Sequence, residues 1–176
     1  MTSSDAVAGS AAQAQPGREI LDWAGFGLAL RELAQQVADD DFVPDLVLGI
    51  ARGGLPVAGG LAYALGAKAV GTLNVEFYTG IDVTLTEPVL LPPMLDLDAV
   101  TGATVLIVDD VADSGRTLDL VLDLVRERVA RARTAVLYHK PRSVIRPDYS
   151  WRDTDRWIEF PWSAEPPVTG QVPSHP

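Results

Sequence analysis

The sequence predicts an α/β fold in which a parallel sheet is flanked by helices on both faces. Two observations point to this class. Short apolar blocks, typical of strands buried on both faces, alternate with longer segments in which apolar residues recur every three or four positions. In such sheets ligands bind beyond the carboxyl ends of the strands. The loops that follow the strands are therefore where we expect function.

The first half of the chain supplies two helices and two strands. The first helix is predicted over Gly25 to Asp40 from apolar residues at spacings of four, three and four: Phe26, Leu30, Leu33 and Val37. The apolar block Leu46 to Ile50 follows a proline and is too short for a helix, so it predicts a buried strand. A glycine-containing turn then leads into a helix over Leu55 to Leu65, and Ala69 to Val75 predicts the next strand.

The second half begins with a long connection, residues 76–102. It contains several helix and strand breakers, namely Gly80, Pro88, Pro92, Pro93 and Gly102. Connections of this length inside a small domain are usually functional or mobile. Thr104 to Val108 is the clearest strand, and Thr134 to Tyr138 is a further one. Between them, the helix Thr117 to Val129 has one apolar face: Leu118, Leu122, Val125 and Val129.

The length of 176 residues predicts one domain, which we place at residues 19–165. Residues 1–18, rich in Ala, Ser and Gln, lack the basic start and apolar run of a secretory signal, so we expect a disordered tail. The proline-rich residues 166–176 predict a second loose tail. Three of the four tryptophans lie within Tyr149 to Trp162, which predicts a small C-terminal cap.

Composition excludes several classes of protein. The balance of 14 basic and 24 acidic side chains gives a formal charge of −10, which argues against a nucleic-acid-binding protein. No apolar stretch reaches the roughly 18 residues of a membrane-spanning helix. Without cysteine there is no disulfide, no thiolate nucleophile and no cysteine-bound zinc, which weakly favours a cytoplasmic location.

The most specific segment is Val105 to Leu118, where a strand is followed by two acids and a small-residue loop that opens a helix. A helix N-terminus carries free N–H groups and a partial positive charge, so this loop is suited to a phosphate. Adjacent carboxylates, here Asp109 and Asp110, are the oxygen donors that magnesium prefers. Taken singly, Asp113 and Ser114 would be ordinary helix caps. Their occurrence in order after a buried strand favours the functional interpretation.

This segment resembles the phosphoribosyl pyrophosphate signature of type I phosphoribosyltransferases. The resemblance implies that Asp109 and Asp110 bind the ribose hydroxyls directly or through Mg²⁺, the expected cofactor. It implies that one loop binds the 5′-phosphate: Ala112, Asp113, Ser114, Gly115, Arg116 and Thr117. Arg116 stands where the family often has a small residue or lysine, so its role stays open. Asp113 matches the family acid beside purine N7 and is the candidate general base.

The segment Gly49 to Pro56 resembles the same family's pyrophosphate loop, in which backbone amides and a basic side chain hold the leaving group. The residues concerned are Ala51, Arg52 and Gly53. Alone, this segment would be an ordinary strand-to-helix turn. The resemblance also predicts a non-proline cis peptide bond between Ala51 and Arg52, which is a rare feature.

Two later segments, around Lys140 and around Trp157, are similar to xanthine-guanine and hypoxanthine phosphoribosyltransferases. The similarity implies that Lys140 donates to the purine 6-oxo group, that Trp157 stacks on the ring and that the Ile158 carbonyl faces the 2-position. An ammonium donates but does not accept, so it prefers a carbonyl to an amino group. Singly, Lys140 would be a solvated lysine and Trp157 a core aromatic. His139 is assigned a structural role.

Glu76 to Gly80 and the residues after it occupy the place of the family's flexible hood, with Tyr78 as its candidate contact residue. Such a hood excludes water from the reacting centre, although Tyr78 is equally compatible with a packed aromatic. The expected reaction transfers ribose 5-phosphate from phosphoribosyl pyrophosphate to a purine nitrogen. Dimers or tetramers are common in the resembled family, which predicts a homo-oligomer.

Two rival functions stay open. Some proteins with this fold keep the ligand site but bind nucleic acid as regulators, and the charge of −10 argues against that role. Other transferases combine the same phosphoribosyl site with a pyrimidine or a non-nucleobase acceptor. The fold alone does not decide among these activities. The sequence also does not rank hypoxanthine, guanine and xanthine as substrates.

Overall fold

The computed structural model of the chain describes residues 17–76, 79–80, 83–84, 89–91 and 98–169. The helices in these ranges are α1 (Trp23–Asp39), α2 (Gly54–Leu65) and α3 (Arg116–Arg126), with a 3-10 turn at Asp98–Val100. The strands are β1 (Arg18–Ile20), β2 (Leu46–Ala51), β3 (Ala69–Glu76), β4 (Thr79–Gly80), β5 (Val83–Thr84), β6 (Val89–Leu91), β7 (Thr104–Ala112), β8 (Arg131–His139), β9 (Tyr149–Asp153) and β10 (Trp157–Glu159). None of the described helices is long and apolar enough to cross a membrane.

The main sheet has six strands in the order β6-β3-β2-β7-β8-β9. Every neighbouring pair is parallel except β3 and β6, which are antiparallel. The predicted α/β class with a parallel sheet is therefore confirmed. The antiparallel edge strand was not predicted, because its three residues lie within the breaker-rich connection. A further pair, β4 and β5, forms a short antiparallel ribbon in that connection.

Helices cover both faces of this sheet. Leu48 and Ile50 of β2 belong to a buried apolar cluster that also contains the inner face of α3. The residue between them, Gly49, faces the other way: a Cβ added to it would lie 2.9 Å from the Cβ of Ala58 in α2. Since alternate residues of a strand point to opposite faces, α2 and α3 lie on opposite sides of the sheet.

Some predicted boundaries were wrong by several residues. β7 extends to Ala112, four residues beyond the predicted end at Val108, because its pairing with β8 continues to the pair Ala112 and His139. Asp109 and Asp110 consequently lie inside the strand and not in the loop after it. Helix α3 ends at Arg126, so Val129, which the predicted helix included, lies beyond the observed helix.

The predicted cap at Tyr149 to Trp162 also needs correction. Its first five residues form β9, which pairs in parallel with β8 and is an edge of the main sheet. The chain divides into two compact units, and the larger one, residues 27–155, contains the whole main sheet. The predicted tails fall mostly outside the described residues, although Arg18 already belongs to β1.

The smaller unit combines residues from both ends of the chain, up to residue 26 and from residue 156 onward. In it, β1 pairs in parallel with β10, and the Arg18 guanidinium lies 3.0 Å from the Glu159 carboxylate. Four aromatic rings of this unit form a cluster: Trp23, Phe26, Phe160 and Trp162. Phe160 and Trp162 are stacked with 4.9 Å between centroids, and Phe26 lies edge-on to Trp162 at 5.2 Å. These contacts stabilise the unit locally.

Candidate active site

The loop after β2 packs directly on the acidic end of β7. A Cβ added to Gly54 would lie 2.5 Å from the carbonyl oxygen of Val108 and 3.1 Å from the Asp109 Cα. One added to Gly53 would overlap the carboxylate of Asp110. Only glycine permits this approach, since any side chain would have to displace the acids. The predicted pyrophosphate loop and the predicted acidic pair therefore lie against each other.

The peptide bond between Ala51 and Arg52 is cis, which confirms that prediction. The Arg52 side chain is exposed, and among the described residues its guanidinium has no hydrogen-bond or ion-pair partner. Its backbone is held in a turn, in which the N–H of Leu55 donates to the Arg52 carbonyl at 3.1 Å. A free guanidinium on an anchored loop is available to an incoming anion.

Asp109 and Asp110 are partly buried, and the described residues bring no cationic side chain within ion-pair distance of either carboxylate. Burial raises the pKa of Asp109 well above its usual value, and the neighbouring Asp110 carboxylate raises it further. Burial also raises the pKa of Asp110. The Asp110 N–H donates to Asp109 Oδ1 at 2.9 Å, which fixes that side chain. Two poorly solvated negative charges side by side favour a bound cation or hydroxyl donors.

This pair has the oxygen donors that Mg²⁺ requires. In the described part of the chain there is no cluster of three or more side chains that would enclose a metal by themselves. Mg²⁺ is commonly held by one or two carboxylates while it keeps several waters and binds substrate oxygens. Asp109 and Asp110 fit that mode of binding.

The predicted phosphate loop lies between the end of β7 and the start of α3. Gly115 has a φ of 75°, in the left-handed region, and α3 begins at the next residue. The first helical hydrogen bond runs from the Asp119 N–H to the Gly115 carbonyl at 2.9 Å. The backbone N–H groups of the first turn have no partner within the helix and point toward the loop, where they suit an anion. Ser114 and Arg116 both have exposed side chains there.

A second loop, residues 140–146 after β8, is fastened to the phosphate loop by its backbone. The Lys140 N–H donates to the Ala112 carbonyl at 3.1 Å, and the Val144 N–H donates to the Ser114 carbonyl at 2.9 Å. A Cβ on Gly115 would overlap the Ser143 hydroxyl, so the two loops are in close contact. The predicted base residue Lys140 is thereby held beside the predicted phosphate site.

The two loops bring Asp113 and Lys140 together. The Lys140 side chain is only 9% exposed, and its Nζ lies 3.6 Å from Asp113 Oδ1. Arg142, which the sequence analysis missed, binds the same carboxylate: Nε lies 3.0 Å and Nη2 2.5 Å from Oδ1, and Nη2 lies 2.6 Å from Oδ2. Its only signal in the sequence was a second cation two positions after Lys140. Arg142 and Asp113 are 29 positions apart in the sequence, so no local pattern indicates the contact.

The remaining predicted contact residues belong to the smaller unit or fall outside the described residues. Trp157 and Ile158 belong to β10 in the smaller unit, where Trp157 is 64% exposed and Ile158 is buried opposite Glu19 of β1. Lys140 belongs to the larger unit, so no single unit contains all three predicted base contacts. Tyr78 lies outside the described residues. His139 is buried with Nδ1 3.2 Å from Asp153 Oδ1, in line with a structural role.

Comparisons with known proteins agree with this geometry. The family model described as a phosphoribosyl transferase domain matches residues 16–168. A xanthine-guanine phosphoribosyltransferase of Gluconobacter oxydans is 36% identical over 123 residues, which cover 68% of this chain and 69% of that protein. The crystal structure of a purine phosphoribosyltransferase from Pyrococcus horikoshii is 35% identical and superposes with a TM-score of 0.76, covering 86% of this chain and 98% of that one.

Proposed function

The chain belongs to the phosphoribosyl transferase family, and we propose that it transfers ribose 5-phosphate from phosphoribosyl pyrophosphate to a 6-oxopurine with release of pyrophosphate. The observation that carries this proposal is the placement of a buried ammonium, Lys140, 3.6 Å from Asp113 at the edge of the phosphate loop. A donor and an acid at that spacing suit the 6-oxo group and N7 of one purine ring.

In this reaction the bond between C1′ and the pyrophosphate oxygen breaks, and its electron pair leaves with pyrophosphate. Purine N9 forms the new bond to C1′. The proton on N7 of the purine passes to Asp113, which acts as the general base. The loop of residues 112–117 holds the 5′-phosphate through its backbone N–H groups and the hydroxyls of Ser114 and Thr117. Loss of the N7 proton leaves the nucleotide product neutral at the ring.

The free guanidinium of Arg52 and the backbone of Ala51 and Gly53 bind the pyrophosphate. A guanidinium matches phosphate oxygens with two parallel donors, so it stabilises charge that develops on the leaving group. Asp109 and Asp110 hold the ribose hydroxyls and Mg²⁺. When bound, Mg²⁺ supplies positive charge that offsets the negative charge of the substrate.

Base choice depends on Lys140. A buried ammonium can donate to a 6-oxo group but has nothing to offer a 6-amino group, which is itself a donor. We assign stacking on the purine to Trp157 and a contact at the 2-position to the Ile158 carbonyl. Since these two residues lie in the smaller unit, their roles rest on the family resemblance and on the exposure of Trp157.

The test is a panel of acceptors with phosphoribosyl pyrophosphate and Mg²⁺, in which nucleotide formation is followed for hypoxanthine, guanine, xanthine, adenine, uracil and orotate. Nucleotide from one or more 6-oxopurines, lost on chelation, is the expected result. Efficient use of a pyrimidine would refute the purine assignment but not the phosphoribosyl site. Binding of phosphoribosyl pyrophosphate without turnover of any acceptor would indicate a regulator. The homo-oligomer and the cytoplasmic location stay predictions.

A further inference from the structure

The two oxygens of the Asp113 carboxylate are unequally occupied. Oδ1 accepts from Arg142 Nε at 3.0 Å and from Nη2 at 2.5 Å, and Lys140 Nζ lies 3.6 Å from it. Within the described ranges, Oδ2 has one polar contact, with Arg142 Nη2 at 2.6 Å. A carboxylate oxygen offers about two lone-pair directions, so Oδ1 is filled while Oδ2 keeps one free.

We propose that Arg142 is a positioning residue that fixes the Asp113 carboxylate, so that Oδ2 is the oxygen that takes the N7 proton. This inference rests on the proposed purine transfer. The planar fork of an arginine determines both the position and the rotation of a carboxylate, which a single ammonium does not. Without Arg142, the described residues leave the Asp113 carboxylate only the ammonium of Lys140 at 3.6 Å, which does not fix its rotation.

A purely structural role for Arg142 is disfavoured by the other contacts. The loop that carries it is already fastened by the backbone bonds from Lys140 to Ala112 and from Val144 to Ser114. Its side chain is 67% exposed and that of Asp113 is 46% exposed. Ion pairs this exposed contribute little to folding stability. Removal of the guanidinium should therefore affect the orientation of Asp113 and leave the fold intact.

The experiment compares Arg142→Ala and Arg142→Lys with wild type in single-turnover formation of the nucleotide. Single turnover is needed because product release limits many enzymes and would hide a change in the chemical step. We expect the rate to fall about 10- to 100-fold in Arg142→Ala, the range for a displaced catalytic group. The KM for phosphoribosyl pyrophosphate should change by less than about 2-fold. Arg142→Lys should remain impaired, because lysine cannot form the fork.

Added guanidinium ion provides a readout that a structural role would not move. It should restore part of the rate of Arg142→Ala by occupying the vacated position, and it should not do so for Asp113→Asn. The matched control is Arg146→Ala. Arg146 lies on the same loop and its side chain is 72% exposed; in the part of the chain that the structure describes, its one ion-pair partner is Asp153, at 3.7 Å. That variant should keep the wild-type rate.

Three results would overturn the inference: an unchanged single-turnover rate in Arg142→Ala, an equal loss in Arg146→Ala, or a further loss when Arg142→Ala is added to Asp113→Asn. None of these results would contradict purine transfer by the wild-type protein. Absence of turnover by wild type with every 6-oxopurine would instead remove the proposed function, and this inference with it. Thermal melts of all variants identify any loss of rate that is due to unfolding.

Discussion

Two acidic regions lie three residues apart at the end of β7, and they differ in what surrounds them. Asp109 and Asp110 are partly buried, adjacent to each other and without a cationic partner among the described residues. Asp113 is half-exposed and lies against the guanidinium of Arg142 and the ammonium of Lys140. The described part of the chain therefore places positive charge next to Asp113 and none next to Asp109 and Asp110.

This difference suits the two acidic regions to different tasks, binding a cation and orienting a proton acceptor, which the sequence alone does not distinguish. A buried carboxylate without a cation binds one from outside more favourably, because the bound ion offsets the lost hydration. A carboxylate already held by an arginine fork is fixed in orientation, as a group that must meet a particular substrate atom should be. We therefore expect substitutions in the first region to affect binding, and substitutions in the second to affect turnover.

The largest effect is expected from the double substitution Asp109→Asn and Asp110→Asn. It removes both carboxylates that we propose bind the ribose hydroxyls and Mg²⁺, and a charge-assisted hydrogen bond is worth about 1.5 to 3 kcal/mol. Affinity for phosphoribosyl pyrophosphate should fall by about 10² to 10⁴-fold, measured by calorimetry with Mg²⁺ and with chelator. Tight binding that ignores both the substitutions and the chelator would show that these carboxylates do not form the site.

The substitution Asp113→Asn tests the second acidic region, which we expect to affect turnover. The amide keeps the size of the side chain but cannot take a proton, so turnover should fall by about 10²-fold or more, the range for a general base. Affinity for phosphoribosyl pyrophosphate should be nearly unchanged in calorimetry, because the substitution leaves Asp109, Asp110 and the backbone N–H groups of the loop in place. Full turnover would reduce Asp113 to a helix cap, and loss of affinity alone would place it in the phosphate loop only.

The main elements of the fold could be predicted because local patterns determine them. The continuous apolar block Leu46 to Ile50 and the periodic apolar stripe along α1 are both visible in the sequence itself. The predicted ends of strands were wrong where pairing with a neighbouring strand determines the end. β7 continues through two aspartates because β8 lies beside it, and β9 joins the sheet although its residues suggested a cap. β6 pairs through only three residues, which give no period to detect.

The candidate site was predictable in its contiguous parts and not in its long-range contacts. Asp109, Asp110 and the phosphate loop follow one another, so their order alone indicates a role. Arg142 acts on an acid 29 residues away, and nothing in its neighbours indicates that contact. The burial that distinguishes the acidic pair from Asp113 depends in the same way on the glycine loop packed against β7, through Gly53 and Gly54.

A smaller effect is expected for Lys140, which contacts the second acidic region. Lys140→Ala should remove most of the preference for a 6-oxopurine over adenine, since a mismatched buried donor costs about 1 to 3 kcal/mol, or about 10- to 100-fold. Trp157→Ala should weaken all purines alike, because stacking does not depend on the 6-substituent. Competition assays between purines measure both. An unchanged ratio of hypoxanthine to adenine use in Lys140→Ala would exclude the lysine from base choice.

The smallest expected effect is on folding stability. It tests whether the buried carboxylate of Asp110 destabilises the folded protein when no cation is bound. The pKa of Asp110 rises from 3.8 to about 6 through burial, so the folded protein binds this proton more tightly than the unfolded chain does. Its ionised form therefore destabilises the fold at neutral and alkaline pH. The free energy of unfolding should therefore decrease as the pH rises from about 4 through the pKa of Asp110 in the folded protein. Asp110→Asn removes that charge and should stabilise the unliganded protein at pH 8 by on the order of 5 °C in Tm.

The gain should shrink as the pH is lowered toward 5, where wild-type Asp110 is increasingly protonated and resembles the amide. Differential scanning calorimetry at pH 5 and pH 8 in chelator gives both values. The matched control is Asp123→Asn, an exposed acid on α3, which should change Tm at pH 8 by no more than about 1 °C. A Tm for Asp110→Asn that falls at pH 8, or that rises equally at both pH values, would mean that burial of this carboxylate does not cost the folded state stability. The two acidic regions would then differ only in the contact between Asp113 and Arg142.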